Sequence, residues 1–189
     1  MTQVAIVYHS GYGHTKKQAE AVLAGVAGVD GVKAHLIAVG DVTDATWATL
    51  EAVDAIVFGS PTYMGGVSAE FKKFADASSK VWFGQKWKDK IAGAFTNSAT
   101  MNGDKGATIS YLMTFAMQHS MIYVGTGLMP ANSSKAQRND VNYVGGFSGA
   151  LAQSPSDLGP DAGPLPGDLE TARLYGERIA KIAQQFKAA

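Results

Sequence analysis

The first residues of the chain contain a strand, a short loop and a helix in immediate succession. Residues 3–8 are mostly apolar and β-branched, which predicts a buried strand. A loop rich in glycine and hydroxyl groups follows, and residues 13–27 have the apolar spacing of a helix. Backbone N–H groups at the start of a helix lack partners and carry partial positive charge. This junction therefore predicts an anion site at the first turn of an alternating α/β fold.

The residues of this loop narrow the choice of anion. The pattern is not G-x-G-x-x-G, because only Gly11 and Gly13 are present, and no Gly-Lys-Ser/Thr closes it as in a Walker A loop. Ser10 and Thr15 add hydroxyl groups, and the two glycines let the backbone approach a ligand closely. Such a loop, with no cation inside it, fits a terminal phosphate monoester. A glycine-rich turn without any ligand is the alternative.

Composition excludes several classes of protein. The 189 residues suffice for one large domain, and no apolar run is long enough to cross a membrane, so we expect a cytoplasmic protein. Without cysteine there is no disulfide, thiol nucleophile or thiolate site, and the four histidines lack zinc-binding spacing, so we expect no metal. A formal net charge of zero, without a basic block among aromatic residues, argues against nucleic acid as a partner.

Strands and helices alternate along most of the chain. After the first pair we expect strands over residues 32–39, 54–59, 90–96 and 121–124, and helices over residues 47–53, 68–78, 107–119 and 168–186. This alternation predicts a doubly wound, five-stranded parallel sheet in the order 2-1-3-4-5, with helices on both faces. The loops after strands one, three and four then meet in one crevice at the carboxyl edge of the sheet.

The regular pattern stops between residues 129 and 167. Five of the six prolines lie in this segment, among many glycine, serine, aspartate and asparagine residues. Long structureless segments are uncommon inside compact domains unless they are functional or disordered. The apolar cluster at residues 143–151 favours an ordered cover, packed on the ligand edge or on a neighbouring subunit, over a flexible stretch. Since only one helix follows, we expect a single domain over residues 1–189.

The chain resembles the flavodoxin superfamily, and within it the NAD(P)H:quinone oxidoreductases related to tryptophan-repressor-binding protein. The similar residues are Ser10-Gly-Tyr-Gly-His14, Gly59-Ser-Pro-Thr-Tyr-Met-Gly65, Val81-Trp82, Gln118-His119 and the run over residues 166–180. The resemblance covers nearly the whole chain and implies a flavodoxin-like sheet. Residues 96–104 contain fewer glycines than that family usually shows, and the inserted segment between strands two and three is absent.

The resemblance implies FMN as cofactor. The phosphate would bind to the first loop, at Ser10, Gly11, Tyr12, Gly13, His14 and Thr15. The ring would lie against the loop after strand three, at Pro61, Thr62, Tyr63, Met64 and Gly65, although Tyr63 could instead belong to the core. Donors for the N1 and O2 edge of the ring would come from Thr96, Asn97, Ser98 and Ala99, and would stabilise the charge of the reduced flavin.

Three further side chains are candidates for contact with the substrates. His119 would donate a proton to a quinone oxygen, because histidine titrates near neutrality, or it would cap its helix. Trp82 would stack on the quinone ring or pack in the core, and Tyr12 would contact the nicotinamide nucleotide. Flavin carries the redox chemistry itself, so no protein nucleophile is required.

The expected function is transfer of two electrons from NADH or NADPH, through FMN, to a quinone-like small molecule. A flavodoxin-type electron carrier without its own substrate is the alternative. Such carriers steer onto partners through an acidic surface, which the net charge of zero does not favour. A non-catalytic regulatory protein of the same fold is a third hypothesis. The resemblance also implies a homodimer or homotetramer, with the ring edge near a subunit interface.

Overall fold

The computed structural model describes residues 1–188, which form seven strands and six α-helices. The strands are β1 (Thr2–Tyr8), β2 (Val32–Ala38), β3 (Ala55–Tyr63), β4 (Gly66–Val67), β5 (Ile91–Ser98), β6 (Ile122–Tyr123) and β7 (Ala150–Gln153). The helices are α1 (His14–Ala27), α2 (Asp44–Ala52), α3 (Ala69–Ala77), α4 (Ser79–Phe83), α5 (Lys105–Gln118) and α6 (Pro166–Ala188). A short 3-10 helix, Val39–Asp41, follows β2. Among these residues no helix is both long and apolar enough to span a membrane.

The sheet is parallel along its main path, in the order β2-β1-β3-β5-β6. The strand β4 forms an antiparallel hairpin with the end of β3, and β7 pairs in parallel with the carboxyl half of β5. The predicted parallel α/β sheet is thus confirmed. The prediction of five strands in the order 2-1-3-4-5 is wrong in its strand count, because there are seven.

Two short strands make up the difference in strand count: β4 in the hairpin at the end of β3, and β7 at the fifth position of the sheet. The strand β6 pairs only with the first two residues of β5, and β7 pairs with its last four. Between them, residues 124–149 leave the sheet and return, so two short strands share one position. The strand β7 therefore lies inside the segment predicted to be irregular. Its four residues are too few for the sequence pattern to reveal a strand.

Burial explains why the central strands form where they do. Residues 4–7 of β1 and residues 55–58 of β3 have no solvent exposure, as expected of parallel strands covered on both faces, whereas β2 at the edge is half-buried. On one face α1 and α6 cross at Gly25 and Gly176. A Cβ on either glycine would come within about 2 Å of the other helix's backbone, so only glycine allows this approach.

The opposite face of the sheet carries an aromatic cluster. Phe58 of β3 packs against Phe71, Phe115 and Trp87, with ring centroids 5.1 to 6.3 Å apart. The helices α3 and α5 supply Phe71 and Phe115, because their apolar residues recur at helical spacing, and Trp87 comes from the turn between α4 and β5. Both helices begin near the carboxyl ends of strands and run back towards the opposite, amino edge of the sheet. Residues at their ends therefore lie far from the loops that follow the strands.

Candidate functional site

The loop after β1 and the carboxyl ends of β3 and β5 line one crevice at the carboxyl edge of the sheet. The loop after β7 completes it. The lining residues are Ser10, Tyr12, His14, Thr15, Pro61, Thr62, Tyr63, Asn97, Ser98, Ala99, Ser154 and Ser156. Three segments that are distant in sequence thus meet in the structure, and they bring together most of the residues named above for a phosphate and a ring.

The first loop presents backbone donors to this crevice. Gly13 has φ +91°, which turns the chain into α1. The Ser10 hydroxyl oxygen accepts the N–H groups of Gly13 and Lys16, each at 3.1 Å. The N–H groups of His14 and Thr15 have no acceptor among residues 1–188. Two unpaired donors at the positive end of a helix are an arrangement that binds phosphate.

The glycines of this loop are required by close packing. A Cβ on Gly11 would lie 2.5 Å from the Tyr63 hydroxyl, and one on Gly13 would lie 2.9 Å from Pro160. The loop is therefore held between the β3 hairpin and the chain that follows β7. His14 Nε2 lies 2.9 Å from the carbonyl oxygen of Leu158, which ties the same two regions together.

Two tyrosines form the open wall of the crevice. Tyr12 is 77% exposed, and its ring meets the ring of Tyr63 edge-on at 6.3 Å. Burial and the nearby Tyr12 raise the pKa of Tyr63, so its hydroxyl stays protonated at neutral pH. Met64 and Gly65 lie at the exposed tip of the β3–β4 hairpin, beside the crevice rather than among its lining residues.

Thr96 lies outside the crevice, although the sequence predicts it as a donor to the ring. Its side chain is fully buried, and its hydroxyl donates to the Ser60 carbonyl oxygen at 2.7 Å. The same hydroxyl lies 2.9 Å from that of Thr62, which donates to Thr108 at 2.8 Å. Thr96 thus holds the ends of β3 and β5 together and has no donor left for a ligand.

Sequence reasoning missed the contribution of the loop after β7. Ser154 donates its hydroxyl proton to Asn97 Oδ1 at 2.9 Å and its N–H to the Ser98 carbonyl oxygen at 3.0 Å. Together with Ser156 it lines the crevice. A signal existed, because the short apolar strand β7 is followed by Ser-Pro-Ser, just as β1 is followed by a hydroxyl-rich loop.

The structure places Trp82 and His119 at the opposite edge of the sheet. Both line a cavity of about 380 Å³ between α3, α4 and α5, and this cavity shares no lining residue with the crevice. His119 follows the end of α5, three residues before β6 pairs with the first residue of β5. Within one chain neither side chain reaches the crevice, so the predicted quinone contacts are not formed there.

The surroundings of His119 are those of a packed structural residue. It is 2% exposed, and its ring lies 4.3 Å from that of Trp87. Its Nε2 lies 2.9 Å from the Ser78 hydroxyl, which donates its own proton to the Ala75 carbonyl oxygen. The network therefore assigns the histidine proton to Nε2. Burial lowers the pKa of His119 to about 4, which leaves it neutral at pH 7.

The parallel sheet and the donor-rich loop at its first turn define a flavodoxin-fold protein whose crevice is suited to a phosphate group. The family model described as NADPH-dependent FMN reductase matches residues 12–135. The chain is 47% identical over 192 residues to flavodoxin FldP of Pseudomonas aeruginosa, covering all of both chains. It is 31% identical over 204 residues to an NAD(P)H dehydrogenase (quinone) of Geobacter sulfurreducens, covering 97% of this chain and 98% of that protein.

A solved structure agrees with these relatives. The WrbA-like flavodoxin of Agrobacterium tumefaciens superposes with a TM-score of 0.78 at 45% identity, over 98% of this chain and 99% of that one. The chain belongs to the NADPH-dependent FMN reductase family, within the flavodoxin superfamily. The resemblance to the tryptophan-repressor-binding-protein type is thereby confirmed. The protein is an oxidoreductase with FMN as cofactor and NAD(P)H as electron donor.

The crevice fits FMN on its own chemistry. The unpaired N–H groups of His14 and Thr15 suit a phosphate, and the glycine backbone at residues 11 and 13 leaves no side chain in its way. The wall formed by Tyr12 and Tyr63 suits the flat face or edge of an aromatic ring. Polar groups of Asn97 and Ser98 lie on the other side.

Proposed function

We propose that this protein transfers two electrons from NAD(P)H, through FMN, to a quinone or a similar flat acceptor. The observation that carries the proposal is the lining of the crevice, in which no described residue is Asp, Glu, Lys or Arg. Such a lining, with the exposed ring of Tyr12 at its mouth, suits an uncharged aromatic substrate better than a charged docking protein. Relatives named NAD(P)H dehydrogenase (quinone) support this choice.

We assign the phosphate of FMN to the loop over residues 10–15 and its ring to the space between the other two loops. Pro61, Thr62 and Tyr63 cover one side of the ring, with Met64 and Gly65 at the hairpin tip beside it. Asn97, Ser98 and Ala99 bound the other side. When bound, FMN supplies the hydride chemistry, and these residues hold it, orient it and exclude water from part of it.

An electron carrier without its own substrate is the second candidate. One observation favours it: the relative that is 47% identical over the full length is named a flavodoxin. The formal net charge of zero weighs against it, because electron carriers commonly rely on a strong field to steer onto partners.

Anaerobic reduction of the FMN-loaded protein separates the two candidates. Under the proposal, NADH or NADPH bleaches the visible flavin band within the time of mixing, and benzoquinone restores it with one quinone consumed per flavin. A flavin that is reduced by dithionite but by neither nucleotide would establish the carrier instead. The homodimeric or homotetrameric state and the cytoplasmic location inferred from the sequence stay predictions, and gel filtration tests the former.

A further inference from the structure

Two side chains donate hydrogen bonds to backbone carbonyl groups of the loop between β5 and α5. The amide nitrogen Nε2 of Gln153 donates to the carbonyl oxygen of Ala99 at 2.7 Å. The ammonium group of Lys105 donates to the carbonyl oxygens of Thr100 and Met101, at 2.7 and 2.9 Å. Three successive carbonyl groups are thus fixed by donors from β7 and from the first residue of α5.

Fixing these carbonyl groups also fixes the direction of the next three N–H groups. In a planar trans peptide the C=O and N–H bonds point in opposite directions, and the only cis bond among residues 1–188 is Gly163–Pro164. The N–H groups of Thr100, Met101 and Asn102 therefore point away from Lys105 and Gln153. None of the three has an acceptor among the described residues. Successive backbone donors of this kind form a site for negative charge.

The folding of the loop keeps these donors next to the crevice. Ala99, which precedes them, lines the crevice together with Ser98. The Ser98 hydroxyl donates to the Thr100 carbonyl oxygen at 3.1 Å. Gly103 has φ +53°, and a Cβ there would lie 2.0 Å from the same hydroxyl oxygen, so the loop is folded tightly back onto the end of β5.

Lys105 also brings a positive charge to this position. Its side chain is 1% exposed. Asp168, the carboxylate that acts on it, is bound by Arg138 through two bonds of 2.8 and 2.6 Å, so the three groups together carry one net positive charge. A buried ammonium among carbonyl groups is costly unless something compensates for its desolvation.

We propose that Lys105 and Gln153 are positioning residues for the flavin. They turn the N–H groups of residues 100–102 towards the N1 and O2 edge of the ring, and the Lys105 charge stabilises the reduced form, which carries negative charge at that edge. The proposal rests on the placement of the ring beside residues 97–99 given above. It assigns the main donors to the N1 and O2 edge to the loop after β5 and not to Thr96, whose hydroxyl donates to the Ser60 carbonyl oxygen inside the sheet.

The test compares Lys105→Met with Lys73→Met, which removes an exposed lysine from α3. The dissociation constant of oxidised FMN is measured by fluorescence quenching on the apoprotein. The two-electron potential of bound FMN is measured by equilibration with reference dyes and dithionite. We expect Lys105→Met to weaken binding of reduced FMN at least about tenfold more than binding of oxidised FMN, which lowers the potential by about 30 mV. Lys73→Met leaves the potential unchanged.

Two further variants separate positioning from general loss of structure. Lys105→Arg keeps both charge and donors, and we expect it to restore most of the potential. Gln153→Leu removes one donor without changing any charge, and we expect a smaller shift of the same sign. If Lys105→Met does not fold, the potential of bound FMN in Gln153→Leu provides the test. Equal potentials for Gln153→Leu and wild type, or an equal loss of affinity for oxidised and reduced FMN, would overturn the proposal.

The measurement is independent of the proposed function. Dyes and dithionite reduce the flavin without NAD(P)H and without a quinone. If the protein turns over no quinone but the potential shifts as expected, the role of Lys105 is supported and the proposed substrate is refuted. If the protein turns over quinone but the Lys105→Met and Lys73→Met variants have the same potential, only the role of Lys105 is refuted.

Discussion

The two edges of the sheet hold two concave regions of opposite character. The amino-edge cavity is the larger, about 380 Å³ against about 150 Å³ for the crevice at the carboxyl edge. The cavity is lined by Trp82, Tyr111, Phe115 and neighbouring residues, and its histidine already has a partner. The crevice has unpaired backbone donors at two of its loops. Size therefore does not identify the site in this protein; unpaired donors do.

One buried base lies at each edge, and their neighbours set their charge. His119 packs between the rings of Trp87 and Phe115, which offer no charge, and burial makes it neutral at pH 7. Lys105 donates to two carbonyl oxygens, and burial lowers its pKa only to about 8. The same desolvation thus produces a neutral packing group at one edge and a retained positive charge at the other.

The largest effect is expected when a carboxylate is introduced at the crevice, compared with a carboxylate introduced at the amino-edge cavity. Ser10→Asp puts a negative charge where the FMN phosphate is expected. Two unit charges about 4 Å apart near a protein surface repel by roughly 4 kcal/mol, about a thousandfold in the dissociation constant. Ser79→Asp, at the rim of the amino-edge cavity, is the matched control and leaves the constant unchanged. Fluorescence titration of the two apoproteins measures the dissociation constant of FMN for each variant. An equal loss of FMN affinity in the two variants would refute the placement of the phosphate.

The buried histidine predicts a loss of stability in acid. The unfolded chain takes up a proton on His119 near pH 6.5, whereas the folded chain does so only near pH 4. Between these values the unfolded state binds more protons, so the free energy of unfolding falls as the pH falls, by about 3 kcal/mol from this residue. We expect His119→Gln to lose this contribution to the pH dependence. Urea unfolding between pH 7 and pH 4 measures it, and parallel curves would contradict it.

The same variant also tests the catalytic role predicted for His119. Since its ring lies away from the crevice within one chain, we expect the affinity for FMN to stay within about twofold of wild type. A fall in quinone turnover at unchanged FMN affinity would show that another subunit brings His119 to the flavin. Gel filtration of the same sample is the control, because only an oligomer allows that outcome.

The buried lysine predicts a gain in stability at alkaline pH. Lys105 in the folded chain loses its proton near pH 8, but in the unfolded chain near pH 10.5. The unfolded state binds more protons between these values, so the apoprotein gains stability on moving from pH 8 to about pH 10, by about 2.5 kcal/mol from this group. Asp168 and Arg138 are the charged groups that face it, and they pair with each other. The gain should disappear in Lys105→Met; urea unfolding at both pH values measures it.

Sequence reasoning succeeded where the signal was local. The apolar run in β1 and the glycines before α1 determine a strand, a turn and a helix within about twenty residues, and the structure has all three. The crevice then follows from topology, because parallel strands bring their carboxyl ends to one edge. The short strands β4 and β7 escaped detection, since two to four residues show no period. The direction of the carbonyl groups at residues 99–101 depends on Lys105 and Gln153, which no local pattern reveals.

The predicted roles of His119 and Trp82 stay predictions, because within one chain the two side chains lie away from the crevice. A helix that follows a parallel strand must run back to the amino edge before the next strand begins. The end of α5 therefore lies at that edge, whatever residues occupy it. The resemblance transferred two residues to the site without this geometric check. Residue identity carried over from a family says nothing about which subunit presents the side chain.

The smallest effect is expected from Trp82→Ala. The indole is 43% exposed at the rim of the amino-edge cavity, so its removal loses the packing of the part that is buried, and we expect a loss of about 2 kcal/mol in stability. Phe83→Ala, which removes a neighbouring ring that is 85% exposed, is the matched control. Neither change should alter FMN affinity, because both rings lie away from the crevice. A rise in the KM for quinone with Trp82→Ala, and not with Phe83→Ala, would mean that Trp82 contacts the substrate of a second subunit, and the contrast between the two edges would then hold only within a single chain.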